Sequence, residues 1–253
     1  MNEKSEETEE LHQSFRTLAM DWRGRVVRNV KLSMSKVLPE TVVQEVRAFR
    51  AYQANERSAY LKVKLWNALG LAKPKRSRIA ATSRSIVFVC FGNIIRSPAC
   101  EALMKQALVG FPDLRVKVTS AGLNAVPGRA AHPWAIATAR EFGFSLDQHR
   151  ARLLTQEMVA QADAIFAMDY QNQVQLLSRW KDSKGKVFML AAYAGDDYKP
   201  VEIRDPYNFG VEETRRCYSV LDACIGKLVF ALSDGCEMTV DGKGRTRSSR
   251  IPS

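Results

Sequence analysis

The chain is predicted to be an α/β protein: a four-stranded parallel sheet with helices on both faces, doubly wound, preceded by an α-helical N-terminal extension. Three observations carry that prediction. Four short apolar runs, "SIVFV", "RVKVTS", "DAIFAM" and "KVFML", fall between residues 85 and 190, and each has the length and β-branched or aromatic content of a strand. Helical stretches at 98–109, 132–142, 169–180 and 212–232 separate or follow them. Repeated strand–helix units imply parallel strands joined by right-handed crossovers. The formal charge of +11 is unevenly placed, with sixteen Lys and Arg against four Asp and Glu between residues 11 and 84. The basic character therefore belongs to an extension and not to the α/β unit.

Taken in order, residues 1–10 are an acidic head expected to be disordered, and residues 11–72 form the basic helical extension. In "LPETVVQEVRAFRAYQ" the apolar Val42, Val43, Val46, Phe49 and Tyr52 recur at helical spacing, and Pro39 and Glu40 suit a first turn. A second amphipathic run, "SAYLKVKLWNALG", sets Tyr60, Leu61, Leu65, Trp66 and Leu69 against Lys62 and Lys64 and stops at Gly70. Residues 73–84, "KPKRSRIAATSR", read as a basic, polar linker. The α/β domain is expected over 85–235, and the polar, basic tail 236–253 is left unstructured.

Several classes are set aside by composition. No apolar run approaches the length of a membrane span, and the start "MNEKSEETEELHQ" is acidic where a secretory signal would be basic and then apolar. A cytoplasmic chain is expected. Five cysteines, Cys90, Cys100, Cys217, Cys224 and Cys236, form no paired CxxC spacing, which suggests neither a disulfide framework nor a zinc site. The extension carries no recognised nucleic-acid motif. Its basic amphipathic helices suit an anionic membrane surface or an acidic partner, engaged through residues 11–78, with peripheral attachment to a membrane as the corresponding location.

The chemistry concentrates in "SIVFVCFGNIIRSPACEALM". A strand, then Cys90, Phe91, Gly92, Asn93, Ile94, Ile95 and Arg96, then a helix opening at Ser97 and Pro98, describes a loop whose amides can curl inward around an anion at a helix N-terminus. Gly92 permits close backbone approach, and Asn93 tolerates the left-handed conformation that such a curl requires. Arg96 adds a planar fork for two phosphate oxygens. Inside such a ring of N–H dipoles a cysteine is favoured as thiolate, which makes Cys90 a nucleophile aimed at phosphorus.

With these residues in view the sequence resembles the low-molecular-weight protein tyrosine phosphatases, over about residues 85–232. The resemblance rests on "VCFGNIIRSP", "TSAG" at 119–122, "HRARLLT" at 149–155, "AMD" at 167–169 and "DPY" at 205–207, in matching order and spacing. It implies hydrolysis of protein phosphotyrosine through a phosphocysteine, with no metal or organic cofactor. It further implies Cys90 as nucleophile, Arg96 as phosphate binder, Ser97 as hydrogen-bond donor to the thiolate, and Asn93, Ser120 and His149 as supports of the loop. Asp205 resembles the general acid and Tyr207 the aromatic wall of the substrate cleft. By analogy, the substrate is a bacterial tyrosine kinase.

The sequence also departs from the family. Ile95 stands where many members carry a second cysteine, so no resolving thiol neighbours the arginine. Ile94 matches tyrosine-directed members, whereas a small polar residue marks the arginine-phosphatase branch. Asn208 replaces a second aromatic, and His132-Pro133-Trp134 replaces an Asp-Pro-Arg; His132 is expected to face solvent. Two alternatives stay open at this point: an arsenate reductase on the same scaffold, and a non-catalytic phosphate-binding or adaptor protein.

Overall fold

The computed structural model of the chain describes Arg57, Ser58, Tyr60, Leu61, Leu65, Ile79 and residues 82–194, 202–233, 236–240 and 246–250, all within the unit Ala54–Ser253. The head 1–10, most of the extension 11–72 and most of the linker 73–84 lie outside the described residues.

Four parallel strands, β1 (Ser85–Cys90), β2 (Lys117–Gly122), β3 (Ala164–Ala167) and β4 (Val187–Met189), form one sheet in the order β2-β1-β3-β4. Around it run α1 (Arg96–Leu108), α2 (Pro133–Glu141), α3 (Gln156–Gln161), α4 (Tyr170–Arg179) and α5 (Gly210–Ser233), with single 3-10 turns at Lys181–Ser183 and Leu190–Tyr193. Because side chains alternate along a strand, β1 feeds two cores. Ile86, Phe88 and Cys90 join the cluster that includes Ala99, Cys100, Leu103 and Met104 of α1 and Tyr218, Leu221, Ile225 and Leu228 of α5. Val87 and Val89 join the opposite cluster, with Val159 of α3, Ile165 of β3 and Leu176 of α4. Both faces are covered, which is why the strands read as continuous apolar runs rather than alternating ones.

Helix boundaries follow local chemistry. Thr155 caps α3 through Oγ1, which accepts from Met158 N at 3.3 Å, and Asp169 caps α4 by accepting from Asn172 N at 2.7 Å. Helix α5 opens with Glu212 and Glu213 in its first turn, where carboxylates favour the N-terminal end of the dipole.

Two expectations need correction. Ile79, assigned above to a polar linker, is 4% exposed and packs in the larger core, and its N–H donates to Tyr193 Oη at 3.1 Å. It is the one large apolar residue of "KPKRSRIAATSR", and burial of such a side chain is favourable by roughly 1.5–3 kcal/mol. The core of the α/β domain therefore takes in a residue that precedes Ser85. In the tail, assigned above to disorder, β5 (Cys236–Val240) pairs antiparallel with β6 (Thr246–Arg250). The run Met238–Val240, with its two β-branched residues, is compatible with that pairing.

Candidate active site

Parallel α/β sheets expose their ligand sites at the carboxyl ends of the strands, and the central strand β1 ends there on Cys90. The register pairs Phe88 with Ser120 and Cys90 with Gly122, so β2 delivers Ser120 and Gly122 beside the loop that follows. Gly122 has no room for a side chain: a Cβ there would stand 2.8 Å from Asn93 N and 2.9 Å from the Gly92 carbonyl carbon. The loop backbone crosses directly over the end of β2.

Residues Phe91–Ile95 curl between β1 and α1, with Asn93 in the left-handed region at φ +53°. Cys90 Sγ faces into this curl. It accepts from Asn93 N at 3.3 Å and lies 3.0 Å from Ser97 Oγ. The amides of Phe91, Gly92, Ile94 and Ile95 donate to no backbone carbonyl among the described residues, leaving N–H groups of the kind that make an anion nest.

Asn93 is the hub that holds the curl. Fully buried, it donates from Nδ2 to Ser97 Oγ and to Ser120 Oγ, both at 2.9 Å, and accepts at Oδ1 from Arg152 N at 2.8 Å. Its carbonyl accepts from His149 Nε2 at 2.8 Å, which requires the Nε2–H tautomer. Burial, together with Arg152 and Arg150, lowers the His149 pKa against the opposing pull of the Asn93 carbonyl and Glu101. The imidazole is therefore neutral near pH 7. From below, Tyr218 Oη donates to Ile95 O at 3.2 Å.

Arg96 opens α1 and is 1% exposed. Nη1 donates to Asp169 Oδ2 at 2.6 Å and to Ile203 O at 2.9 Å, while Nη2 donates to Asp205 Oδ2 at 2.5 Å. Burial disfavours its charge, but Asp205, Asp169 and Cys90 more than offset that, and the guanidinium is held above its ordinary pKa. The segment carrying Asp205 is tied down as well, since Ile203 N donates to Met168 O at 2.7 Å. Asp205 itself is 42% exposed in its side chain, and its Oδ1 accepts from Tyr207 N at 3.2 Å.

The structure thus brings Cys90, Asn93, Arg96, Ser97, Ser120, His149 and Asp205 to one end of the sheet, with Phe91 and Tyr207 exposed beside them. Several contributors were not singled out from the sequence. Glu101 accepts from Ser120 Oγ and from Arg152 Nη2, each at 2.6 Å, and extends the Asn93 network outward. Asp169 shares Arg96 with Asp205, which gives the "AMD" string a structural reason. His132, expected to face solvent, also has aromatic neighbours. It is partly buried, with ring centroids 5.4 Å from Tyr207 and 4.6 Å from Trp134.

The pattern of the family described as low molecular weight phosphotyrosine protein phosphatase matches residues 85–237. The probable low molecular weight protein-tyrosine-phosphatase AmsI of Erwinia amylovora is 37% identical over 150 residues, 59% of this chain and 97% of that protein. Wzb of Escherichia coli K12, a low molecular weight protein-tyrosine-phosphatase, is 34% identical over 59% of this chain and 95% of its own length. Among solved structures, the AmsI tyrosine phosphatase of Erwinia amylovora superposes with TM-score 0.54 at 34% identity, covering 60% of this chain and 95% of that one. The YwlE arginine phosphatase of Geobacillus stearothermophilus superposes with TM-score 0.53 at 29% identity, covering 60% and 94%.

Proposed function

The chain belongs to the low molecular weight phosphotyrosine protein phosphatase family, and from that premise we propose how its side chains divide the hydrolysis of a phosphotyrosine ester. Cys90 attacks phosphorus as thiolate, the P–O bond to the tyrosyl ring breaks, and Asp205 gives its proton to the leaving phenolate. Water, deprotonated by Asp205, then attacks the phosphocysteine. The S–P bond breaks, phosphate leaves, and the sulfur departs toward Ser97 Oγ and Asn93 N–H. The single observation that carries this reading is the sulfur at the foot of the curled loop, turned toward those two groups at 3.0 and 3.3 Å.

The Arg96–Asp205 pair gives the first step an order. An arriving phosphate dianion competes with the Asp205 carboxylate for Nη2, and once displaced, Asp205 is free at the rim to take up the proton it will donate. Ile94, 6% exposed within the loop, supports tyrosine over arginine as the phosphorylated residue. Cys100, Cys217 and Cys224 are buried. Burial pushes the last two thiols up to about 12, so none of these three stands ready to relay a disulfide, which weighs against arsenate reduction.

Asp205→Asn tests the acid assignment because the amide can still accept from Arg96 but carries no proton to give. The expected result is a fall in kcat/KM, which reports the steps through P–O cleavage and not the later hydrolysis common to both esters, of about 10²- to 10³-fold for phenyl phosphate, with a smaller fall for 4-nitrophenyl phosphate, whose leaving group needs less protonation. Equal losses on the two esters would remove Asp205 from the proton transfer.

Residues 11–78 supply the chain's excess positive charge, and we assign them to an anionic lipid surface where a phosphorylated tyrosine kinase would be the substrate. Co-flotation with vesicles rich in anionic lipid is expected at low salt and is lost as salt screens it. No binding at low salt would end this assignment.

A further inference from the structure

We propose that His132 is a positioning residue of the phosphatase reaction, its ring bracing Tyr207 and so holding the acid loop against the phosphate loop. The proposal rests on the reading of Asp205 as general acid given above.

Four contacts close a circuit between the two loops. His132 N donates to Ile94 O at 2.9 Å, within the phosphate loop. The His132 ring meets the Tyr207 ring edge-on, with centroids 5.4 Å apart and an interplanar angle of 67°. Tyr207 N donates to Asp205 Oδ1 at 3.2 Å, and Asp205 Oδ2 accepts from Arg96, which opens α1 directly after the curl. The imidazole is itself held from behind. Trp134 lies 4.6 Å away by ring centroids, and its backbone N–H donates to His132 Nδ1 at 3.3 Å, which caps α2 and sets the tautomer with hydrogen on Nε2. Burial and then Arg129 lower the His132 pKa, with Asp205 opposing them, so the ring meets Tyr207 as a neutral aromatic.

The order of events makes this brace matter during turnover. In the free chain, Arg96 Nη2 fixes Asp205 directly. When the phosphate group takes that nitrogen, this tether is spent on the substrate. Asp205 then depends on the tether of Ile203 behind it and on Tyr207 ahead of it, and Tyr207 rests on His132. A residue acting in this way changes the rate of protonated departure and leaves the affinity of the nest for phosphate unchanged.

Two variants separate the ring from the cap. His132→Asn keeps a side-chain acceptor for Trp134 N and removes the ring; His132→Phe keeps a ring and removes the acceptor. An aromatic pair of ordinary strength corresponds to about a three- to tenfold effect. We expect H132N to lower kcat/KM on phenyl phosphate by that factor, to lower it less on 4-nitrophenyl phosphate, and to leave the inhibition constant of inorganic phosphate unchanged. H132F is expected to stay within about twofold of the parent on both esters. Equal losses in both variants, independent of the leaving group, would reduce His132 to a helix cap and overturn the proposal, as would an H132N variant with parental kcat/KM on phenyl phosphate. Asp205→Asn measured alongside distinguishes the two levels. If it steepens the leaving-group dependence and H132N does not, the bracing role alone fails. If it leaves the dependence unchanged, the acid assignment fails as well.

Discussion

Cys90→Ser is expected to abolish turnover of aryl phosphates, with a loss of about 10⁵- to 10⁶-fold, the scale seen when a covalent nucleophile is removed, while binding of inorganic phosphate persists. The two halves of that expectation come from different atoms. Binding draws on the loop amides and on the fork of Arg96, none of which the substitution touches. Attack draws on the sulfur, and a serine hydroxyl in the same place has no base beside it: the contacts of Cys90 Sγ are Asn93 N–H and Ser97 Oγ, and the nearby His149 spends its Nε2 on the Asn93 carbonyl. Nor can Cys100, Cys217 or Cys224 substitute. Burial pushes Cys217 and Cys224 up to about 12 and Cys100 well above the usual thiol range, so all three are protonated at neutral pH. Steady-state assays on 4-nitrophenyl phosphate together with equilibrium dialysis against phosphate check both halves. Turnover by the serine variant near the parental rate would remove the covalent route.

What was legible in the sequence was whatever is local. The strand–loop–helix string from Ser85 to Met104 contains its own turn residues, its nucleophile and its arginine, and the sheet follows from apolar runs that each stand alone. Ser120, His149 and the supporting role of Asn93 became legible only through the spacing of separated motifs. The remaining contributors depend on register. Glu101 matters because β2 pairs with β1 so that Ser120 lies opposite Phe88, and Asp169 because it meets Arg96 across 73 positions of chain. Gly122 looks like any strand-end glycine until Asn93 N is placed 2.8 Å from where its Cβ would be. Helix α3 escaped the reading because six residues give fewer than two turns of periodicity, although Thr155 is an ordinary capping signal. The contact of His132 with Tyr207 was not legible because a histidine before proline carries no mark of the tyrosine it will meet 75 positions later.

Arg96→Lys conserves charge, and for that reason it isolates geometry. The guanidinium reaches three acceptors that lie apart in sequence, Asp169 Oδ2, Ile203 O and Asp205 Oδ2, from a side chain that is almost wholly buried. An ammonium group is a single point with a shorter reach, and it cannot face the Asp169–Ile203 side and the phosphate site together. If lysine stays on Asp169, the phosphate loses its planar partner, and if it turns to phosphate, the Ile203 carbonyl and an Asp169 side chain only 14% exposed are left short of a donor. Either way kcat/KM for a phosphotyrosine peptide is expected to fall by about 10²- to 10³-fold, the scale of one lost transition-state donor. Stability is expected to fall by about 1–3 kcal/mol, the cost of a buried polar group left unpaired. Denaturant unfolding reads the second effect and steady-state kinetics the first. Their comparison is informative because Asp205, 42% exposed, contributes little to stability through a pair that water can replace, whereas Asp169 is shielded. A variant that kept its stability but lost activity would place the arginine's whole value in the transition state; one that kept both would show that charge without the fork suffices, and the bidentate account of the phosphate site would have to be abandoned.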